Sequence, residues 1–160
     1  MHTTLHKWKE LLPVCLFTLL LLILVVVLRP RSIISLTGGS VDDSSVTEGI
    51  IIRMSFDPAS SGTVRTEDPA ELKKAVALLQ SAKVRLRGFG SDVLYEGAAP
   101  YHFLLYCGTN ISADLIITDD GRIFADGRVY RMVDGGTADI VQTLEGFWTH
   151  WTREELDSAS

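Results

Sequence analysis

The 160-residue chain has only two cysteines, and Cys15 lies inside an apolar run, which leaves Cys107 as the single thiol of the remainder. No disulfide can close within that remainder, and about 110 residues can bury an adequate core without one. Metal-ligand spacings are missing as well. His2 and His6 sit in the N-terminal tail, while His102 and His150 have neither a His-Glu-x-x-His spacing nor a companion cysteine, so no zinc site is expected. There is no Gly-x-Ser-x-Gly elbow and no phosphate-binding loop with its lysine. Gly88-Phe89-Gly90 fails as a dinucleotide loop because Val93 stands where the third glycine belongs. No catalytic residue, cofactor or metal is therefore expected, and an enzyme reading rests on residues that meet only in three dimensions.

Positive charge is scarce after residue 31. Of 15 Lys and Arg, four precede Ser32, whereas only one of 20 Asp and Glu does; the remainder holds 11 basic and 19 acidic groups, a net charge of −8. Nucleic-acid phosphates need a basic face, so no nucleic-acid partner is expected.

What the chain does have is a run of eighteen residues, 11–28, without a formal charge and mostly Leu, Ile and Val. A helix of that length reaches roughly 27 Å, close to the ~30 Å of a bilayer's hydrocarbon core. The run reads as an uncleaved transmembrane signal-anchor behind a tail of residues 1–10, with the lipid bilayer as its partner. A lipidated cysteine would follow the apolar core, but Cys15 precedes most of it. The small residues of a cleavage site, Ser35-Leu36-Thr37 or Thr37-Gly38-Gly39, are separated from the core by Arg29 and Arg31. Lys7 and Lys9 before the run balance Arg29 and Arg31 after it, so charge gives no orientation. A short tail, one span and then a folded domain favour a single-pass protein of the cell membrane with its domain outside the cytoplasm. Pro13 is expected in the first helical turn, where its missing N–H costs little.

Residues 29–49, rich in Ser, Thr, Gly and Asp, read as a flexible linker. Residues 50–151 form the expected domain and 152–160 a tail. Residues 50–56 alternate, with Ile50, Ile52, Met54 and Phe56 on one face, and predict a strand. Asp68 as N-cap, Pro69 at the first helical position and Glu71 three residues after the cap start a helix whose Leu72, Ala75, Val76 and Leu79 form one stripe. A short strand with Val84 and Leu86 follows, then an apolar strand from Tyr101 to Cys107. Asp120-Gly121 and Asp126-Gly127 divide the next apolar runs into a three-strand meander. A last helix, capped by Thr137 or Asp139, carries Ile140, Leu144, Phe147, Trp148 and Trp151 on one side. The order β-α-β-β-β-β-β-α predicts an α+β domain: an antiparallel sheet of five to six strands with two helices on one face.

Two groups are candidates for a partner surface. Arg85 and Arg87, with Lys83, give one strand a basic outer face whose simplest reading is a solvated edge that discourages aggregation. Phe147, Trp148 and Trp151 read most simply as core, and as a docking surface if incompletely covered. Asp119-Asp120-Gly121 lacks the EF-hand spacing and reads as a turn. Asn110-Ile111-Ser112 is a glycosylation acceptor only in a eukaryotic secretory pathway. Cys107 reads as a small buried hydrophobe.

In order, Ile50-Ile51-Ile52, Asp68-Pro69-Ala70-Glu71-Leu72, Tyr101-His102-Phe103, Ile117-Thr118-Asp119-Asp120-Gly121 and Gly127-Arg128-Val129-Tyr130 resemble small extracytoplasmic domains of unknown function from Gram-positive bacteria. The resemblance covers about two-thirds of the chain and implies a domain behind a single anchor or a lipid signal; it carries over no catalytic residue. The expected function is display of a small non-catalytic binding or regulatory module. The alternatives are a membrane-anchored enzyme of unknown class and a structural partner of another envelope or membrane protein, although the run lacks the small-x-x-x-small spacing that favours helix pairing.

Overall fold

The computed structural model describes residues 3–37, 41–42, 44–55, 60–90, 100–133 and 136–153, with side chains from residue 12 onward. It is an α+β fold. A helix α1 (Thr3–Leu28) leads into β1 (Arg31–Ser32) and a short 3-10 helix (Ile33–Leu36). Then come β2 (Glu48–Arg53), β3 (Gly62–Thr66), α2 (Pro69–Ser81), β4 (Lys83–Phe89), β5 (Pro100–Cys107), β6 (Asn110–Thr118), β7 (Arg122–Ala125), β8 (Arg128–Met132), α3 (Thr137–His150) and β9 (Thr152–Arg153). Among the described residues the nine strands form one sheet, ordered β1-β4-β8-β7-β6-β5-β2-β3-β9, with every neighbouring pair antiparallel.

Because neighbours alternate in direction, β3 and β4 run parallel, and so do β8 and β9. A hairpin cannot join parallel strands, so each pair needs a crossover. α2 supplies the first and α3 the second, in opposite directions over the same face. The face they cover carries Ile51, Phe103 and Leu115 in register across β2, β5 and β6, then Ile117, Ile123, Tyr130 and Leu86 across β6, β7, β8 and β4. With Leu72, Ala75, Val76 and Leu79 of α2 and Ile140, Leu144 and Phe147 of α3, most of these side chains make one core.

Local signals account for several boundaries. Asp68 caps α2 by accepting a 3.0 Å hydrogen bond from the Ala70 N–H. Ala125 pairs with Arg128, leaving Asp126 and Gly127, at φ +48° and +68°, as a two-residue hairpin loop. Gly121, at φ +81°, turns β6 into β7, and a Cβ there would sit 2.7 Å from Cγ2 of Thr137.

Several expectations need correcting. The sheet has nine strands, because β1, β3 and β9 were not foreseen. β2 buries Ile51 fully, whereas Ile50 and Ile52 are half-buried on the other face and Met54 is exposed beyond the strand; Phe56 lies outside the described residues. α3 starts at Thr137 after Gly136, without a side-chain cap. β4 is covered by β1 only at Lys83 and Val84, and Arg85 and Arg87 beyond that pairing are exposed. Pro13 lies inside α1, whose backbone begins at Thr3. The first two residues of the expected tail form β9 against β3.

The expected linker differs most. Arg31 and Ser32 pair with β4, the Ile33 N–H donates to the Ala82 carbonyl at 3.1 Å, and Ile33, Leu36, Val41 and Val46 all belong to the core. α2 packs against both β1 and the 3-10 helix, and the Thr47 N–H donates to the Tyr106 carbonyl of β5 at 2.8 Å.

α1 itself adds nothing to that core. Every described side chain in residues 12–28 is exposed, and Thr18 satisfies its hydroxyl by donating to the Val14 carbonyl at 2.8 Å. Among the described residues, no helix is long and apolar enough to cross a membrane.

Two stability measurements follow. Replacing Ile33, which is fully buried, by Ala lowers the unfolding free energy of the detergent-solubilised chain by about 2–4 kcal/mol in a denaturant titration, where a tether residue would cost nothing. Gly121→Ala costs more than Gly127→Ala, because both have positive φ but only the former meets a neighbour. The expected losses are roughly 2–3 and 1 kcal/mol respectively.

Candidate functional site

The aromatic group is core. Phe147 and Trp151 are only 4% and 5% exposed, their rings stack with centroids 5.0 Å apart, and Phe103 approaches Trp151 at 6.2 Å. Room for the indole comes from β2, where a Cβ at Gly49 would lie 2.8 Å from Cη2 of Trp151. A docking role for Phe147 and Trp151 is thereby lost. Trp148 is half-buried, with Arg53 and Arg153 each 5.9 Å from its ring centroid. Arg85 and Arg87 are exposed on β4, near the opposite end of the sheet from β3 and β9. Six strand steps of about 4.8 Å separate β4 from β3, roughly 29 Å. The two groups do not converge on one surface.

A polar cluster that the sequence did not announce joins α3 to the sheet. Arg53 of β2 holds Glu145 of α3 with both terminal nitrogens, each 3.2 Å from a carboxylate oxygen, and lies 5.2 Å from the centroid of Tyr101. The Tyr101 hydroxyl donates to Glu145 Oε1. Burial first, and that hydrogen bond second, push the Tyr101 phenol well above its ordinary range, so it stays a neutral donor. Arg53 Nε and Trp151 Nε1 are buried without an acceptor among the described residues. The cluster has the character of a clamp: one carboxylate is divided between a cation and a phenol, and it fixes α3 on the strands beneath.

Charge in the other half of the sheet is distributed unevenly. β1, β4 and β8 lie side by side, carry Arg31, Lys83, Arg85, Arg87, Arg128 and Arg131, and contain no Asp or Glu. On the face away from the helices, Arg85 stands opposite Arg131, which stands opposite Arg122. Like charges directly across strands repel. Asp120 relieves Arg122, whose Nε lies 2.7 Å from Oδ2, whereas Arg85 and Arg131 make no ion pair among the described residues.

On the helix-covered face this basic strip borders a pocket of about 190 Å³ at the foot of α1, lined by Val27, Arg29 and Arg31 from the N-terminal segment, Val84, Leu86 and Phe89 from β4, and Arg128 and Tyr130 from β8. Phe89 is 79% exposed. Arg29, Arg31 and Arg128 make no ion pair among the described residues, and no carboxylate lines the pocket. Three guanidinium groups around an apolar floor can hold an anion with bidentate geometry. In the sequence Arg29 and Arg31 read only as flanking charges, and Arg128 stands only within one of the segments that carry the resemblance.

The remaining candidates stay scattered. His102 pairs with Asp114 at 2.8 Å on the open face, and the His150 ring lies 2.6 Å from the Gly146 carbonyl. Asp119 is exposed, and Asp120 accepts from the Thr118 hydroxyl at 2.5 Å to shape the β6–β7 turn. Cys107 is half-buried and reaches the Ser45 hydroxyl at 3.4 Å. Asn110 is exposed at the start of β6. Among the described residues, no three metal-ligating side chains come together. No family model, curated protein or solved structure matches the chain.

Burial alone would raise the Asp120 carboxyl, but hydrogen bonds from Arg122 and Thr118 outweigh it and hold the group below its ordinary range. Its stabilisation is complete above the unfolded value near pH 4 and disappears as pH falls through the lower folded value. Asp120→Asn flattens this acid limb, by a few tenths of a kcal/mol given the solvent around the group, as read from denaturant midpoints between about pH 5 and 2.

Proposed function

We propose that the chain is a single-pass membrane protein whose α+β domain is a non-catalytic binding module held outside the cytoplasm by α1. The observation that carries the reading is the contrast between the two parts. In residues 12–28 every side chain is exposed and nearly all are apolar, while the domain that follows closes its own core without them. An apolar surface of that extent on all sides of a helix is unstable in water and stable in hydrocarbon. Counted from Leu11 in the sequence, the uncharged run supplies eighteen residues, and the backbone of α1 continues past it to Thr3. Thr18, bonded to Val14, adds no unsatisfied hydroxyl.

The non-catalytic part of the reading rests on what the polar groups do. Tyr101 and the terminal nitrogens of Arg53 share the Glu145 carboxylate, His102 is used by Asp114, and Asp120 by Arg122 and Thr118. Arg29, Arg31 and Arg128, which gather in one pocket beside the anchor and make no ion pair among the described residues, suit binding. The reading fits the kind of small anchored domain that the sequence resembles.

Alkaline carbonate washing of membranes tests the anchor: the full chain stays in the pellet, and a variant lacking residues 11–28 moves to the supernatant. Release of the full chain overturns the anchor. A compartment-sensitive reporter fused after Ser160 tests the side, and a cytoplasmic signal overturns the extracytoplasmic placement.

A further inference from the structure

We propose that the pocket at the foot of α1 binds the phosphate diester of an anionic phospholipid in the leaflet next to the domain. This rests on the anchor reading above and adds a ligand to it. Val27 is at once a member of the apolar run and a wall of the pocket, and Arg29 and Arg31 follow Leu28 within three residues. If the run is embedded as far as Leu28, the pocket lies within roughly 10 Å of the hydrocarbon boundary at any tilt. The headgroup layer there is about 5–8 Å thick. The ligand class follows from what occupies that layer, and phosphate diesters face both leaflets, so the inference holds for either orientation of the span.

The lining matches such a group. Arg29, Arg31 and Arg128 bring three permanent positive charges to a cavity of about 190 Å³ with no carboxylate among its lining residues. By volume it takes about six waters, enough for a phosphate and the first atoms of its glycerol. Val27, Val84 and Leu86 give the apolar side on which that glycerol can rest, and Tyr130 completes the lining. Phe89, on the rim and 79% exposed, is an aromatic ring of the kind that settles at the level of the headgroups.

Electrostatics picks the same end of the sheet. The residues after Arg31 carry −8 and are repelled by an anionic bilayer over most of their surface, whereas β1, β4 and β8 hold Arg31 and five further basic residues and no acid, with Arg85 and Arg131 on the open face beside the pocket. Each Lys or Arg near such a surface strengthens binding about fivefold. The strip that α1 brings closest to the lipid is the one that gains from it.

Native mass spectrometry of the full chain, released from detergent micelles carrying phosphatidylglycerol and phosphatidylcholine, counts the lipid retained. The expected result is one phosphatidylglycerol held in preference to phosphatidylcholine, with retention falling about fivefold in Arg31→Gln, about fivefold in Arg128→Gln, and by the product in the double variant. Arg128 is exposed, so its replacement leaves the core intact, and thermal melting followed by circular dichroism checks this. Should the double variant not fold, Arg128→Lys takes its place: it keeps the charge but loses the fork, and weaker retention supports the proposal while unchanged retention overturns it. Equal retention of the two lipids, or retention unaffected by the arginine changes, also overturns it. Displacement of the lipid by inorganic phosphate assigns the pocket to a soluble anion and overturns the lipid source. Flotation of the wild-type chain with liposomes separates the two readings: failure to float removes the anchor, whereas flotation without selective retention removes only the pocket.

Discussion

Antiparallel pairing throughout the sheet, combined with four connections that join parallel strands, two of them carrying α2 and α3, is the constraint on which the rest of the molecule depends. β3 to β4 and β8 to β9 each have to cross several strands, and a chain can do so only over a face. Both helical crossovers use the same face, which makes that face the core and commits Ile51, Phe103, Leu115, Ile117 and Ile123 to it. Trp151 lies where α3 hands over to β9, so its indole closes the core over Gly49 and Phe103. The Arg53–Glu145–Tyr101 clamp fixes the same helix from its polar side. Packing and hydrogen bonding thus act on one element, and α3 has little freedom to slide.

The parts of this fold that could be read from the sequence are those written in short-range chemistry. Asp68 before Pro69 marks a helix start because a side-chain acceptor and a missing N–H both suit that position. Asp126-Gly127 marks a hairpin because both residues tolerate positive φ, and both adopt it. β1 and β9 have two residues each, too few for any period to show, and β3 buries only Val64. Their strand character comes from partners far along the chain. The stretch that reads as a linker joins the core for a related reason: Ile33, Leu36, Val41 and Val46 are spaced without period among Ser, Gly and Asp, and only partners far along the chain make them core.

The basic pocket was hidden in the same way. Arg29 and Arg31 are separated from Arg128 by about a hundred positions, and only the order β1-β4-β8 makes them neighbours. The expected aromatic surface had the opposite fate, since the helical spacing that gathered Phe147 and Trp151 into a stripe also turned that stripe inward. Net charge misleads for a comparable reason: an average of −8 conceals a three-strand strip with no acid in it.

The pairing of Arg31 and Ser32 with β4 has a thermodynamic consequence. A free tether of eighteen residues would let the domain wander with an r.m.s. span near 20–25 Å, and each encounter between its arginines and a nearby group would bear a loop-closure entropy. The ladder to β4 and the burial of Ile33 remove that slack during folding itself. Arg128, though distant in sequence, is thereby held beside Arg29 at an effective concentration set by the fold and no longer by the reach of a coil.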